Sequence, residues 1–335
     1  MGSRWTDSLG VAFVGRDVPA HASAWARAAE RSGLGSVWII EDYYHPGAYA
    51  LAGAAAAVTE RVAIGLGVVN PFTRHPVLIA METAALAGSA PGRVILGLGT
   101  SNRNWIEEQM RIPFKTPLPA LRECVEIVRR LLAGECLGFH GECFDLEAVR
   151  LQIAPREPPP ILLGVKGPKA LRLAGEIADG VHGAVLTSPD HVRRIRATTR
   201  SAGGSKFTVV AYIPVAVGRD RAAARQSVRP LLARYLGILH GQSILSDAGY
   251  DAERTQPFSD ALRRGTPAVD LVTDEMVETL AVAGTPDDCR AALRRLRAAG
   301  LDAPIAVVPP DTDMAEQLAL IGAELAPFWK DTRCR

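Results

Sequence analysis

Short apolar runs recur along the chain, each followed by a stretch whose apolar residues fall at helical spacing. The runs are Leu9–Val14, Val37–Ile40, Val62–Val69, Val94–Leu98, Ile161–Val165, Gly180–Val185, Phe207–Val217 and Ile305–Val308. A strand buried on both faces of a parallel sheet reads as a continuous Val/Ile/Leu run rather than as an alternation. The intervening stretches predicted as helices are His21–Ser32, Ala48–Val58, Val77–Ala87, Leu118–Ala133, Pro168–Ala178, Pro189–Ala202, Arg219–Leu239, Asp274–Leu280, Pro286–Ala299 and Asp313–Trp329. Gly33, Gly134 and Gly300 stop three of them, Pro168 opens another in its first turn, and Thr285 supplies an N-cap.

The pattern weakens in two places. Within 135–160, Phe139–Val149 reads as a hairpin or an extended excursion. Gly241–Thr266 is polar and reads as irregular, a lid or an insertion. Strand–helix repeats spread over the whole chain predict an α/β fold, a (β/α)8 TIM-like barrel with insertion segments at its C-terminal face. The expected organisation is one barrel domain over 1–335, with insertions near 135–160 and 241–273. A doubly wound sheet with a small second domain is the alternative, but no linker-like shift in composition divides the chain.

Composition narrows the function classes. A net charge of +2 gives no global field for nucleic acid or a membrane surface, so no partner of either kind is expected. No apolar run approaches the roughly 20 residues of a membrane span. The N-terminus lacks a signal-peptide pattern. Cys124, Cys136, Cys143, Cys289 and Cys334 show no CxxC spacing, which fits reduced thiols and a cytoplasmic protein.

Candidate chemistry gathers at strand ends, where barrel enzymes carry their sites. Arg61–Pro76 and Gly92–Asn102 both break from an apolar run into Gly, Asn, Thr and Ser. Gly65-Leu66-Gly67 and Gly97-Leu98-Gly99 lack the third glycine of a dinucleotide fingerprint and lie inside strands. They either relieve crowding inside the barrel or admit a cofactor. Asp42-Tyr43-Tyr44-His45 ends strand two, as a polar loop or as ligand and proton-transfer groups. In Thr73-Arg74-His75-Pro76, Arg74 either grips an anion or ties loop to barrel. Gly164-Val165-Lys166-Gly167-Pro168-Lys169 joins a strand end to a helix N-terminus, the arrangement of an anion site or of ordinary turn punctuation. No HxH, HExxH or GxSxG spacing occurs, so neither a metal nor a serine nucleophile is expected.

VNPFTRHP (Val69–Pro76), APGRVILGLGTSN (Ala90–Asn102), the IPF…P…LRECVEIVRRLLAGE stretch (Ile112–Glu135) and GPKALRLAGEIADGV (Gly167–Val181) together resemble the luciferase-like monooxygenase superfamily. Within it, the chain is most similar to the branch of oxidoreductases that use the deazaflavin coenzyme F-420. The resemblance implies a TIM-like barrel with the cofactor across its mouth and a non-prolyl cis peptide in strand three, at Gly67-Val68, pressing on the ring. It implies that Asp42 meets the ring edge, that Asn70 lies just beyond the bulge, and that Thr100, Ser101 and Asn102 line the pocket. Gly164, Val165, Lys166 and Gly167 would hold a phosphate through backbone amides.

The family's sugar-phosphate dehydrogenases have His after the strand-two Asp, where this chain has Tyr43. Its methanogenic reductases have Glu in strand one, where this chain has Ala12. Proton transfer then falls to Tyr43, Tyr44 or His45. The substrate pocket would be built by Asp42–Gly47, Trp105 and Gly241–Thr266. The implied activity is hydride transfer between the cofactor C5 and a small organic substrate, in a homodimer. An FMN-dependent monooxygenase and a non-catalytic cofactor-binding barrel are the alternatives.

Overall fold

The structure, a computed structural model, describes residues 5–14, 18–42, 44–199 and 207–331. In chain order, β1 (Gly10–Phe13), α1 (Val18–Arg31), β2 (Ser36–Ile39), α2 (Ala48–Ala56), β3 (Ala63–Val69), α3 (Pro76–Ser89) and β4 (Val94–Gly99) alternate. α4 (Pro117–Leu132) leads into the antiparallel hairpin of β5 (Leu137–His140) and β6 (Asp145–Val149). Alternation resumes with β7 (Ile161–Gly164), α5 (Pro168–Ile177), β8 (Gly180–Gly183), α6 (Pro189–Thr199) and β9 (Thr208–Val217). Four helices follow: α7 (Arg221–Ile238), α8 (Ser243–Asp247), α9 (Ala252–Arg263) and α10 (Asp274–Leu280). The chain then passes through β10 (Val282–Gly284), α11 (Pro286–Ala298), β11 (Ala303–Val307), α12 (Met314–Leu320) and α13 (Ala326–Lys330).

The eight predicted apolar runs are the eight barrel strands. They pair in parallel in the order β9-β11-β1-β2-β3-β4-β7-β8, and β8 returns to β9 to close the ring. Each strand presents one set of side chains to the barrel interior and the other to the helices. Trp38, Ala63, Ile95, Leu162, Val210, Tyr212 and Ile305 pack inside. Val37, Ile64, Leu66, Leu96, Leu98 and Leu163 pack outward against the helices. Both faces are therefore apolar, which is why the runs are continuous. Prolines at the first turns of α3, α4, α5 and α11 set the entries of those helices, and Thr285 with Asp288 forms a full capping box on α11.

The segment 241–266 departs from its sequence reading. It is not irregular: it forms α8 and α9. Asp251 caps α9 by accepting the Arg254 N–H, and Thr255, Phe258 and Ala261, three residues apart, are buried on one side of the helix. Pro257 and the charged outer face hid this short amphipathic pattern. Two further features were not predicted. β10 is a three-residue strand that extends the sheet beyond β9, outside the ring. Asn104–Gln109 winds as a π-helix above β4. The predicted extension of α6 over 200–202 lies outside the described residues. Among the described residues, no helix is long and apolar enough to cross a membrane.

Candidate functional site

The upper part of β3 is built differently from its neighbours. Leu66 pairs with Leu96 and Val69 with Leu98, so β3 carries one residue more than β4 over this stretch. The Gly67-Val68 peptide at this bulge is cis. In an otherwise buried strand, Val68 is half-buried.

Glycines make room for it. A Cβ on Gly97 would lie 3.0 Å from a Val68 methyl, one on Gly99 at 2.7 Å and one on Gly164 at 2.8 Å. The Val68 side chain thus lies across β4 and β7, in a notch that only residues without side chains leave open. Lower down, Gly65 makes room for the Trp38 ring, and Gly67 for the Tyr212 hydroxyl, which would lie 2.1 Å from an added Cβ. The in-strand glycines therefore relieve crowding inside the barrel. Together they also leave a smooth apolar floor, capped by Val68.

Beneath that floor sit three aromatic rings. The Tyr212 hydroxyl donates to the Gly67 carbonyl at 3.0 Å. His182 lies edge-on to Tyr212, with ring centroids 4.2 Å apart, and 4.9 Å from the Trp38 ring. Its Nε2 is buried with no hydrogen-bond partner. Burial pushes the His182 pKa down to about 3 and raises that of Tyr212. Both side chains are neutral near pH 7.

Around the floor, the predicted residues take different roles. Asp42 is half-buried and lines a crevice with Phe13, Ile40 and His45. Tyr43 lies outside the described residues. Tyr44, 71% exposed at φ +64°, donates its hydroxyl to Gln109 Oε1 at 2.8 Å, bridging the β2 loop to the π-helix. His45 is exposed, in a turn closed by its N–H to the Asp42 carbonyl. Asn70 is buried and shapes its own loop: Oδ1 accepts from the Phe72 and Thr73 N–H groups, each at 3.0 Å. Asn102 Oδ1 accepts the Trp105 N–H and so opens the π-helix. Thr100 donates to the Ser101 carbonyl. Ser101, at φ +61°, keeps a buried hydroxyl with no protein partner.

The loop after β7 carries Val165, Lys166 and Gly167 into the N-terminus of α5, which no side chain caps. Burial lowers the Lys166 pKa. The Ser243 hydroxyl, from α8, donates to the Lys166 carbonyl at 3.2 Å. The segment expected as a lid is thus packed beside this loop.

Arg74 is not aimed at an open site. It pairs with Glu41 and Glu82, each at 2.7 Å, and lies over the Tyr49 ring. Glu41 in turn accepts the first N–H of α2 at 2.9 Å. His75 caps α3 through Nδ1. Arg74→Ala should therefore cost about 1–3 kcal/mol in urea denaturation, because it strands two partly buried carboxylates. Ligand affinity should stay within about threefold of wild type; a tenfold loss without destabilisation would assign Arg74 to anion binding instead.

Sequence reasoning missed Trp38, His182 and Tyr212 as the support of the site. Their inward positions alternate along β2, β8 and β9, which was the available signal. Among the described residues no group of three or more His, Cys, Asp or Glu side chains is placed to hold a metal ion.

Comparison with known proteins adds to this geometry. The family model described as luciferase-like monooxygenase matches residues 6–303. A 5,10-methylenetetrahydromethanopterin reductase of Archaeoglobus fulgidus is 30% identical over 321 residues, covering 91% of this chain and 95% of its own length. An F-420-dependent glucose-6-phosphate dehydrogenase of Nakamurella multipartita is 36% identical, but over only 48% of this chain and 51% of its own length. Among solved structures, the coenzyme F-420-dependent tetrahydromethanopterin reductase of Methanopyrus kandleri superposes with a TM-score of 0.86. It is 26% identical and covers 96% of this chain and 99% of that one.

Proposed function

The chain belongs to the luciferase-like monooxygenase family, and from that premise we propose that it is a coenzyme F-420-dependent oxidoreductase acting on a small organic substrate. The dependence on F-420 is taken from the named relatives. The arrangement around Val68 carries the reading for this chain. A side chain seated on three glycines presents a flat apolar wall at the barrel mouth. Beside it are a buried hydroxyl without a protein partner, on Ser101, and a largely buried lysine, Lys166, next to an uncapped helix N-terminus. A flat aromatic ring with a polar edge and an anionic tail fits that set of groups.

When bound, coenzyme F-420 supplies a carbon, C5, that gives or accepts hydride. The protein's part is to bind and orient. Gly67 and Val68 would back the ring, held from below by the Tyr212 hydroxyl. Thr100, Ser101 and Asn102 would line its side, with Asp42 at its edge. Asn70 would act by fixing the loop beyond the bulge. Val165, Lys166, Gly167 and the backbone of Gly164 would hold the tail's phosphate. With one face covered, substrate must approach the other, and a proton would pass through Tyr43, Tyr44 or His45. In this reading the whole chain is one barrel domain, with the β5–β6 hairpin and the α8–α9 segment as insertions, working in the cytoplasm as a homodimer.

Titration of the purified protein into coenzyme F-420 should quench the deazaflavin fluorescence with a micromolar Kd, and FMN should compete weakly or not at all. No quenching up to about 100 µM protein would overturn the proposal. Tight copurification of FMN would turn it toward the oxygen-using members of the family.

A further inference from the structure

His191, in the first turn of α6, is a titratable side chain that the proposed reaction does not use. Its side chain is 0% exposed. Nδ1 lies 2.7 Å from Asp247 Oδ2 on α8, and Asp247 Oδ1 lies 2.7 Å from Arg194 Nε. A carboxylate only accepts, so Nδ1 carries the hydrogen and Nε2 carries a lone pair. That Nε2 is buried with no hydrogen-bond partner. A buried polar atom left this way calls for an explanation.

Its surroundings supply one. α8 packs against α6 and also holds the loop after β7, through the Ser243 hydroxyl on the Lys166 carbonyl. The charged groups acting on the ring are Asp247 from α8, Arg194 from its own helix and Lys166 from that loop. Burial pushes the His191 pKa down; Asp247 pulls the other way, and the two cations reinforce the burial. The ring therefore sits between opposing influences. An anion arriving beside Lys166 would cancel the cation's field and add negative charge of its own, and both changes favour the imidazolium.

We propose that His191 is a further ligand of a phosphoryl-type anion bound at the loop after β7, and that it takes up a proton on Nε2 when that anion binds. The proposal rests on the reading of Gly164–Gly167 as an anion cradle. The anion is either the phosphodiester of coenzyme F-420 or the phosphoryl group of a second ligand. In both cases Asp247 holds Nδ1, Nε2–H donates to the anion, and Lys166 supplies the second positive charge. Affinity for the anion should then fall with rising pH, by up to tenfold per unit where one proton is taken up.

Coenzyme F-420 and sulfate, which does not titrate between pH 6 and 8, serve as probes. The ring of His191 is followed by NMR of histidine-labelled protein, and proton uptake by calorimetry in two buffers of different ionisation heat. The expected result is a shift of the ring from its neutral to its charged pattern, with about one proton taken up. His191→Gln should abolish that uptake, and any proton exchanged by the ligand itself cancels in the comparison. Protonation by F-420 identifies its phosphodiester as the anion. Protonation by sulfate while F-420 remains bound identifies a second ligand. A ring that stays neutral with both probes overturns the proposal, even though F-420 binding would leave the cofactor reading standing. If F-420 does not bind, the cofactor reading fails, and sulfate alone then decides whether His191 is an anion ligand. The wild-type ring signals settle the question even if His191→Gln does not fold.

Discussion

Gly67→Ala should cost about 2–5 kcal/mol of stability or prevent soluble accumulation, whereas Gly53→Ala should leave stability unchanged or raise it by up to about 1 kcal/mol. The contrast follows from what each added Cβ would meet. At Gly67 it would lie 2.1 Å from the Tyr212 hydroxyl, 3.1 Å from Tyr212 Cζ and 3.2 Å from His182 Nε2. All three atoms belong to rings packed inside a closed barrel, so none can swing aside into solvent. The hydroxyl must move, and with it goes the hydrogen bond to the Gly67 carbonyl. Overpacking a full core costs about 1–3 kcal/mol, and a stranded buried carbonyl about as much again.

At Gly53, inside α2, nothing lies within 4 Å. Alanine there gains helix propensity and reduces the freedom of the unfolded chain. Tyr212→Phe gives a sharper check, because it removes the clashing oxygen. In the Gly67→Ala background it should recover part of the lost stability, although by itself it should destabilise. A double variant no more stable than Gly67→Ala alone would show that the clash is not with Tyr212. The cofactor reading adds that Gly67→Ala protein, where it folds, should bind coenzyme F-420 at least tenfold more weakly, since the backing wall has shifted.

The barrel was legible because burial on both faces writes each strand as an unbroken apolar run. Val62–Val69 and Val94–Leu98 are found as β3 and β4 within a residue of their predicted ends. The family resemblance placed the cis peptide at Gly67-Val68, where the structure has it. The roles of the glycines were not legible, because each depends on a side chain from another strand. Gly67 faces Tyr212, 145 residues away, and Gly97 faces Val68 across a bulge whose register no single-strand pattern contains. Arg74 illustrates a different limit. Its type suits anion binding and ion pairing equally, and only the positions of Glu41 and Glu82 decide for the latter. The same limit hid the His191–Asp247 pair, whose partners lie 56 residues apart. In 241–266, a short helix with one proline and a charged outer face has too few apolar positions for periodicity to stand out from a loop.

Acidification should destabilise the protein more steeply than its carboxylates alone require, and a distinct share of that loss should vanish in His182→Gln. The folded-state pKa of His182 is pushed down to about 3 by burial among Trp38, Tyr212 and the β3 backbone, against about 6.5 in the unfolded chain. The sign follows directly. Below pH 6.5 the unfolded chain takes up a proton at this histidine while the folded protein does not, so stability falls as pH falls. The contribution is fully present above about pH 6.5 and is lost progressively down to about pH 3. At pH 4.5 the two pH units below 6.5 correspond to roughly 2–3 kcal/mol. His191 and His75, whose pKa values burial also lowers, add to the same trend, His75 less because it is more exposed. Glutamine at 182 keeps a polar side chain of similar size but cannot titrate. Urea midpoints from pH 4.5 to 7.5 should therefore fall less steeply for His182→Gln than for wild type, by up to about 1.4 kcal/mol per pH unit between pH 4.5 and 6. Parallel curves for the two proteins would mean that the folded barrel protonates His182 as readily as water does, and that its Nε2 has found a partner inside.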